Sequence, residues 1–258
     1  MKIFIFSIFV TCLLSCQESR ITSNSTLRIS VNCNSMENIN ASEYFENVEV
    51  IQLETSKKSL IFGINCLYFH KDSLYIFIKN RNQFSSLLLN GMFIRKICHI
   101  GKGPGEYMQI SDFTIDENKN EILISAEIPK AVFKYDLTGN FITRFKVNNC
   151  YGARISEVGN KIVLASVNKE YDFVLHEYNK NTGKFIKSSM EKCINSYNYP
   201  QIDSHFPNLV KSSSAFYNQP ISGEIYSIDD SVNFSKYSID FGITTCLLIL
   251  NIGYRILI

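Results

Sequence analysis

The order of polar and apolar positions repeats along this chain. The polar run Lys71-Asp72-Ser73 leads into Leu74-Tyr75-Ile76-Phe77-Ile78, and Asp116-Glu117-Asn118-Lys119-Asn120 leads into Glu121-Ile122-Leu123-Ile124-Ser125. A third copy runs from Glu157-Val158-Gly159-Asn160 into Lys161-Ile162-Val163-Leu164-Ala165. Each apolar run is short, rich in β-branched and aromatic residues and bounded by turn formers, which predicts a strand. A second strand and a glycine turn follow each one, over residues 86–91, 132–139 and 175–183, and a last strand starts with Phe93, Phe141 or Phe185. A weaker fourth copy comprises Glu224-Ile225-Tyr226-Ser227-Ile228 and Phe234-Ser235-Lys236-Tyr237-Ser238-Ile239. The turn glycines Gly91, Gly139 and Gly183 lie 48 and 44 residues apart. Periods of about 40 to 50 residues with four short strands each are what propeller blades require, and Asn-Gly and similar pairs supply the positive φ of tight hairpins. Gly and Asn punctuation leaves no room for a helix longer than a turn or two. The pattern predicts an all-β chain, a β-propeller of four-stranded antiparallel blades with about four blades present, over residues 41–242. A β-sandwich with coincidental spacing is the competing arrangement.

The stretch ahead of the repeat has a different character. Met1 to Cys16 holds one early cation, Lys2, an apolar segment from Ile3 to Val10, and the ending Leu13-Leu14-Ser15-Cys16. That order is the one found in secretory signals, and the segment is too short for a permanent membrane span. Its ending resembles a bacterial lipobox. The resemblance implies that residues 1–16 are a lipoprotein signal peptide, that Cys16 becomes the lipid-bearing first residue, and that Gln17, not being Asp, agrees with outer-membrane retention. A simple secretory signal cut elsewhere is the alternative. Residues 17–40 are rich in Ser, Asn and Thr and read as a flexible tether, apart from Leu27-Arg28-Ile29-Ser30-Val31, which alternates like one short strand. Such a tether would hold a folded body at a membrane through more than one acyl chain.

Composition narrows the picture. The 258 residues are 45% hydrophobic and 19% charged, with 19 Phe and 14 Tyr, as in a globular chain that leans towards strands. A formal net charge of +2 gives no global field for nucleic acid, which is not an expected partner. Of eight cysteines, Cys12 and Cys16 fall in the leader; Cys33, Cys66, Cys98, Cys150, Cys193 and Cys246 form no C-x-x-C pair. Zinc and redox motifs need close pairs, so these read mostly as buried free thiols, with pairing permitted in an exporting setting.

Three stretches carry a family resemblance: Gly101-Lys102-Gly103-Pro104-Gly105-Glu106-Tyr107, Asp112-Phe113-Thr114-Ile115-Asp116, and Tyr135-Asp136-Leu137-Thr138-Gly139-Asn140-Phe141. Over roughly residues 40 to 242 the chain resembles the six-bladed β-propeller lipoproteins of Bacteroides-type bacteria, which are related to NHL repeats. The resemblance implies a fold and a cell-envelope location, outer-membrane and facing the periplasm or the surface, more than a chemistry. Six blades need roughly 270 residues, whereas 218 follow from Ala41 to Ile258, so that with about four blades legible, two blades' worth of pattern reads as missing or badly diverged. Residues 243–258 form an atypical apolar tail, read as the mark of a truncation or frameshift. A C-terminal membrane helix competes, but these 16 residues, broken by Asn251, Gly253 and Arg255, fall short of the usual span.

The glycine corner is the first candidate for chemistry. It lacks the Gly-Lys-Ser/Thr ending of a phosphate loop, and no helix follows to receive a phosphate. It reads instead as a blade corner in which Gly101, Gly103 and Gly105 allow positive φ and Pro104 stiffens the chain. Glu106, Tyr107 and Asp112 would lie near a central channel, and they are the binding candidates. The other reading makes them structural, with carboxylates accepting loop N–H bonds and a packed tyrosine. His70, His99, His176 and His205 show no metal-binding spacing, so no metal or other cofactor is expected. No catalytic residue is assigned, and no G-x-S-x-G elbow occurs. The expected function is non-catalytic: a cell-envelope lipoprotein, held to the membrane through its N-terminal lipid, that binds an unknown ligand or envelope protein. The alternative is a propeller enzyme, a lyase or hydrolase, with a site at the channel mouth.

Overall fold

A computed structural model describes residues 26–32, 40–61, 63–78, 83–97, 99–148, 150, 153–166, 172–191, 209–211, 215–219, 223–229 and 235–240. The leader with Cys16, much of the expected tether, the tail 243–258, His205, Cys33, Cys98, Cys193 and Cys246 lie outside the described residues. The chain is nearly all β. A short strand, β1 (Leu27–Ser30), and one 3-10 turn, Ala41–Glu43, precede four antiparallel sheets. The first blade is β2 (Cys66–His70), β3 (Ser73–Ile78), β4 (Gln83–Leu88) and β5 (Phe93–Ile97). The second is β6 (Gln109–Asp116), β7 (Glu121–Ile128), β8 (Ala131–Asp136) and β9 (Phe141–Lys146). The third is β10 (Arg154–Val158), β11 (Lys161–Ala165), β12 (Phe173–Asn179) and β13 (Phe185–Glu191). The fourth is β14 (Leu209–Lys211), β15 (Ala215–Gln219), β16 (Glu224–Ile228) and β17 (Ser235–Asp240), to whose outer edge β1 adds in parallel. This is the expected four-blade propeller arrangement.

The second strand of each blade reads as a continuous apolar run because both of its faces are buried. In β3, Tyr75 and Phe77 point one way, against Phe113, Ile115, Ile122, Ile124 and Phe133 of the second blade. Leu74, Ile76 and Ile78 point the other way, under Ile51, Leu53 and Ile61 from the segment before β2. The same scheme packs Leu123 and Val132 on Ile155, Ile162 and Leu164, and Val163 and Leu175 on Tyr217 and Ile228. First strands meet in order, β2 with β6, β6 with β10 and β10 with β14. Phe84 and Phe113 meet edge to face at 4.5 Å across the first junction, a geometry that adds about 0.5–1.5 kcal/mol to area burial.

The recurring turn glycine has a packing reason beyond its hairpin. A Cβ on Gly139 would lie 3.3 Å from the Ile97 side chain, and one on Gly183 would lie 2.5 Å from Phe145. Ile97 and Phe145 hold the same place, fifth in the outermost strands β5 and β9. Each turn therefore rests on the outer strand of the preceding blade, which sets the repeat as firmly as the hairpin does. The strands over 86–91, 132–139 and 175–183 start earlier than the pattern predicts, at Gln83, Ala131 and Phe173. The first strands β2 and β10 lie outside the runs that the pattern predicts.

Candidate functional site

The glycine corner joins the first blade to the second. Gly103, Pro104, Gly105 and Glu106 form a turn closed by the Glu106 N–H donating to the Gly103 carbonyl at 3.1 Å, with Gly105 at φ 75°. Pro followed by a positive-φ Gly is the signature of a type II turn. The Glu106 carboxylate bends back to accept the Gly103 N–H at 2.7 Å. The base of the loop is pinned by Tyr107 N–H to the His99 carbonyl at 2.9 Å and by Gly101 N–H to the Tyr107 carbonyl at 3.1 Å. Gly105 lies so close to Phe141 that a Cβ would sit 2.6 Å from its ring, and its carbonyl accepts the Tyr135 hydroxyl at 2.8 Å. His99 stacks on Tyr135 at 4.9 Å and donates through Nε2 to the Gly139 carbonyl at 2.7 Å, which fixes the proton on that nitrogen. Tyr107 is fully buried against Phe133 and Tyr135. Two of the three sequence candidates, Glu106 and Tyr107, are thus built into the joint.

The third candidate, Asp112, sits on β6 among the first strands, where three blades converge. Its Oδ2 accepts the Ile155 N–H at 3.1 Å, and Oδ1 lies 3.5 Å from Nη1 of Arg154 at the start of β10. The Cys66 thiol, at the start of β2, hydrogen-bonds the same carboxylate. Burial pushes the Asp112 carboxyl above its ordinary range, against the pull of Arg154 and the backbone N–H groups. The Cys66 thiol is pushed up as well, first by burial and then by the neighbouring carboxylate, so it stays protonated and donates. The Arg154 side chain keeps 25% of its surface open. A guanidinium carries five N–H donors in a rigid fork, suited to carboxylate or phosphate.

A second polar cluster ties the second and third blades together at the other end of the first strands. Lys180 Nζ lies 2.8 Å from Asp116 Oδ2 and 2.6 Å from Glu157 Oε1, with all three residues buried. Burial lowers the lysine pKa, but the two carboxylates outweigh it and the net shift is upward. Lys134 donates to the Lys180 carbonyl at 2.5 Å and lies 3.8 Å from Glu121, and burial pulls its pKa down. The Tyr68 hydroxyl donates to Glu117 at 2.7 Å, and His70 meets Asn120 at 3.1 Å, bridging the first and second blades. Among the described residues no group of three His, Cys, Asp or Glu side chains is arranged to hold a metal ion.

Sequence reasoning singled out Asp112 and passed over Arg154, Cys66, Glu157, Lys134 and Lys180. The available signal was a charged residue inside an otherwise apolar strand, as at Lys134 in Val132-Phe133-Lys134-Tyr135. Such a charge needs a buried partner, but the partner's identity is not encoded locally.

Residues 25–250 match a family described as a domain of unknown function, DUF4934. No curated protein matches the chain. Among solved structures, a Bacteroides fragilis protein described as exported shares the fold at a TM-score of 0.67 and 18% identity, over 84% of this chain and 60% of that one. The virginiamycin B lyase of Staphylococcus aureus aligns at a TM-score of 0.46 and 14% identity, over 72% of this chain and 58% of the lyase. The WD40 domain of Neurospora crassa Pan2 aligns at 0.42 and 14% identity, over 66% of this chain and 47% of its own length. The chain spans less than two thirds of the length of each.

Proposed function

The chain belongs to the DUF4934 family, and on that premise we propose that it is a non-catalytic binding lipoprotein of the cell envelope, exported and held at the outer membrane by a lipid on Cys16. The Bacteroides fragilis relative is described as exported, which supports the location, and the lipobox-like ending at Cys16 supports the anchor.

The observation that carries the binding role is the Arg154 guanidinium, 25% open and oriented by the buried Asp112 at 3.5 Å. Asp112, Asp116 and Glu157 hold blades together through Ile155, Arg154 and Lys180, so their charges are committed to the frame. Arg154 joins that frame through Asp112 and still keeps part of its guanidinium open. The ligand is a small molecule or peptide end bearing a carboxylate or phosphate. Thermal unfolding with inorganic phosphate, acetate or glucuronate tests this. An anion at ten times its Kd adds about 1.4 kcal/mol, a rise of about 3–6 °C. The rise is expected in the native chain and absent in Arg154→Gln. No rise with any of the three anions, or an equal rise in the variant, refutes the site. Incorporation of a labelled fatty acid, lost in Cys16→Ala, tests the anchor.

A further inference from the structure

The strand β1 changes what a lipid on Cys16 would do. Val31 N–H donates to the Asp240 carbonyl at 2.8 Å, Arg28 pairs with Asp240 at 3.2 Å, and the register sets Leu27 beside Tyr237 and Ile29 beside Ile239. Eleven residue steps separate Cys16 from Leu27, against 35 from Cys16 to Ile51, where the chain packs on the first blade. A flexible chain has an r.m.s. reach of about 18 Å over 11 steps and about 33 Å over 35. Holding β1 on the fourth blade therefore brings that blade, and no other, to the short end of the lipid link. Local concentration falls with about the 3/2 power of linker length, so this sheet meets the bilayer about sixfold more often than a body held from Ile51 would.

The face delivered there is apolar. Side-chain alternation puts Leu27, Ile29 and Val31 on one side of β1, at 57%, 42% and 39% exposure. Cross-strand pairing continues that side through Tyr237, Ile239 and Ile225, all half-buried. Tyr217, Tyr226 and Ile228 occupy the opposite face and pack on the third blade. The corresponding outward face of the first blade is covered by Ile51, Leu53 and Ile61. The other outer edges follow the usual blunting of exposed strands by cations, with Arg95 and Lys96 on β5 and Arg144 and Lys146 on β9. On β1 the single cation, Arg28, is turned to the other face and bound to Asp240.

We infer that β1 is a clasp that seats the outward face of the fourth blade, the row Leu27, Ile29 and Val31 with Tyr237 and Ile239, on the lipid bilayer. The inference rests on the lipid anchor proposed above and names the face that the anchor brings down. The chain contains no tryptophan, so one introduced indole reports by itself. Full-length lipidated protein carrying Ile29→Trp, or Leu27→Trp as a second and more exposed position, is bound to phosphatidylethanolamine/phosphatidylglycerol vesicles with brominated acyl chains. Phe185→Trp, on the outer strand of the third blade and 47% exposed in the native residue, is the reference. Both β1 positions are expected to be quenched at least twofold more than the reference, with blue-shifted emission. Quenching equal to the reference in both, with Cys16 shown by mass spectrometry to be acylated, overturns the clasp and leaves the anchor standing. A Cys16 that carries no acyl group overturns the anchor and the clasp with it. A blue shift that grows with protein concentration in the absence of vesicles assigns the face to a second copy and overturns the membrane reading.

Discussion

Replacing Lys180 by Met tests the claim that the second and third blades are joined by a buried ionic knot. The ammonium sits 2.8 Å from Asp116 and 2.6 Å from Glu157, and the lysine is 4% exposed and Asp116 0%. Methionine fills much of the space of the lysine stem but leaves two carboxylates buried without their cation. Breaking one side of such a site costs about 3–5 kcal/mol, a large part of the ~5–15 kcal/mol that holds a domain folded. For a body of this size each kcal/mol moves Tm by about 2–4 °C, so the expected fall is about 6–20 °C, with an unchanged urea m-value. The linkage has a definite sign. The folded pKa of Lys180 is raised, so its contribution is complete below the unfolded value of about 10.4 and is lost as pH rises through the folded value. Wild-type stability should therefore decline above about pH 10.4, and the variant should lack that component. The triple variant Asp116→Asn, Glu157→Gln, Lys180→Met removes the buried charges altogether and should recover most of the loss. A single-variant loss below about 1 kcal/mol, the range of an exposed pair, would refute the reasoning.

Three further outcomes follow from the geometry. Gly105→Ala forces a side chain into φ 75° and against the Phe141 ring at 2.6 Å, whereas Gly63→Ala has φ 88° and open space; urea unfolding should show about 1–2 kcal/mol lost at Gly63 and clearly more at Gly105. The Asp136 carboxyl is pushed down to about 2, first by the Thr138 hydroxyl and then by the Asn140 and Thr138 groups around it. Its small stabilising effect is present above the unfolded value of about 3.9 and fades as pH falls through about 2; an NMR titration should give that midpoint, and Thr138→Ala should raise it. The Cys150 thiol is buried and pushed up to about 12, so iodoacetamide at pH 8 should label it only after denaturation, as peptide mass spectrometry would register.

The second to fourth strands of the first three blades, the blade count and the turn glycines were legible in the residues themselves, because side-chain alternation and positive-φ turns are local properties; the first strands β2 and β10 were not. The repeat in residues 86–91, 132–139 and 175–183 carried the blade architecture for the same reason. The corner at Gly101 to Tyr107 was legible as a joint, since Pro104-Gly105 announces its turn without reference to anything distant. Of the three glycines expected at positive φ only Gly105 adopts it, whereas Gly101 and Gly103 leave room for the Glu106 carboxylate. Even there, the ring stacked against it, Tyr135, and the side chain that forbids a Cβ at Gly105, Phe141, come from the next blade.

Partnership was decided elsewhere. Cys66, Asp112 and Arg154 are each separated by more than 40 residues along the chain and meet only because three first strands converge. Lys180 likewise finds Asp116 across a blade junction. Alternation identified Leu27 to Val31 as a strand, but nothing in those five residues specifies β17 as its neighbour or a parallel register. An apolar pattern states that a face must be covered and leaves the cover unspecified, because the attraction between apolar surfaces is non-directional. The tertiary structure supplies the direction: it sets Arg154 against Asp112 and lays β1 along β17.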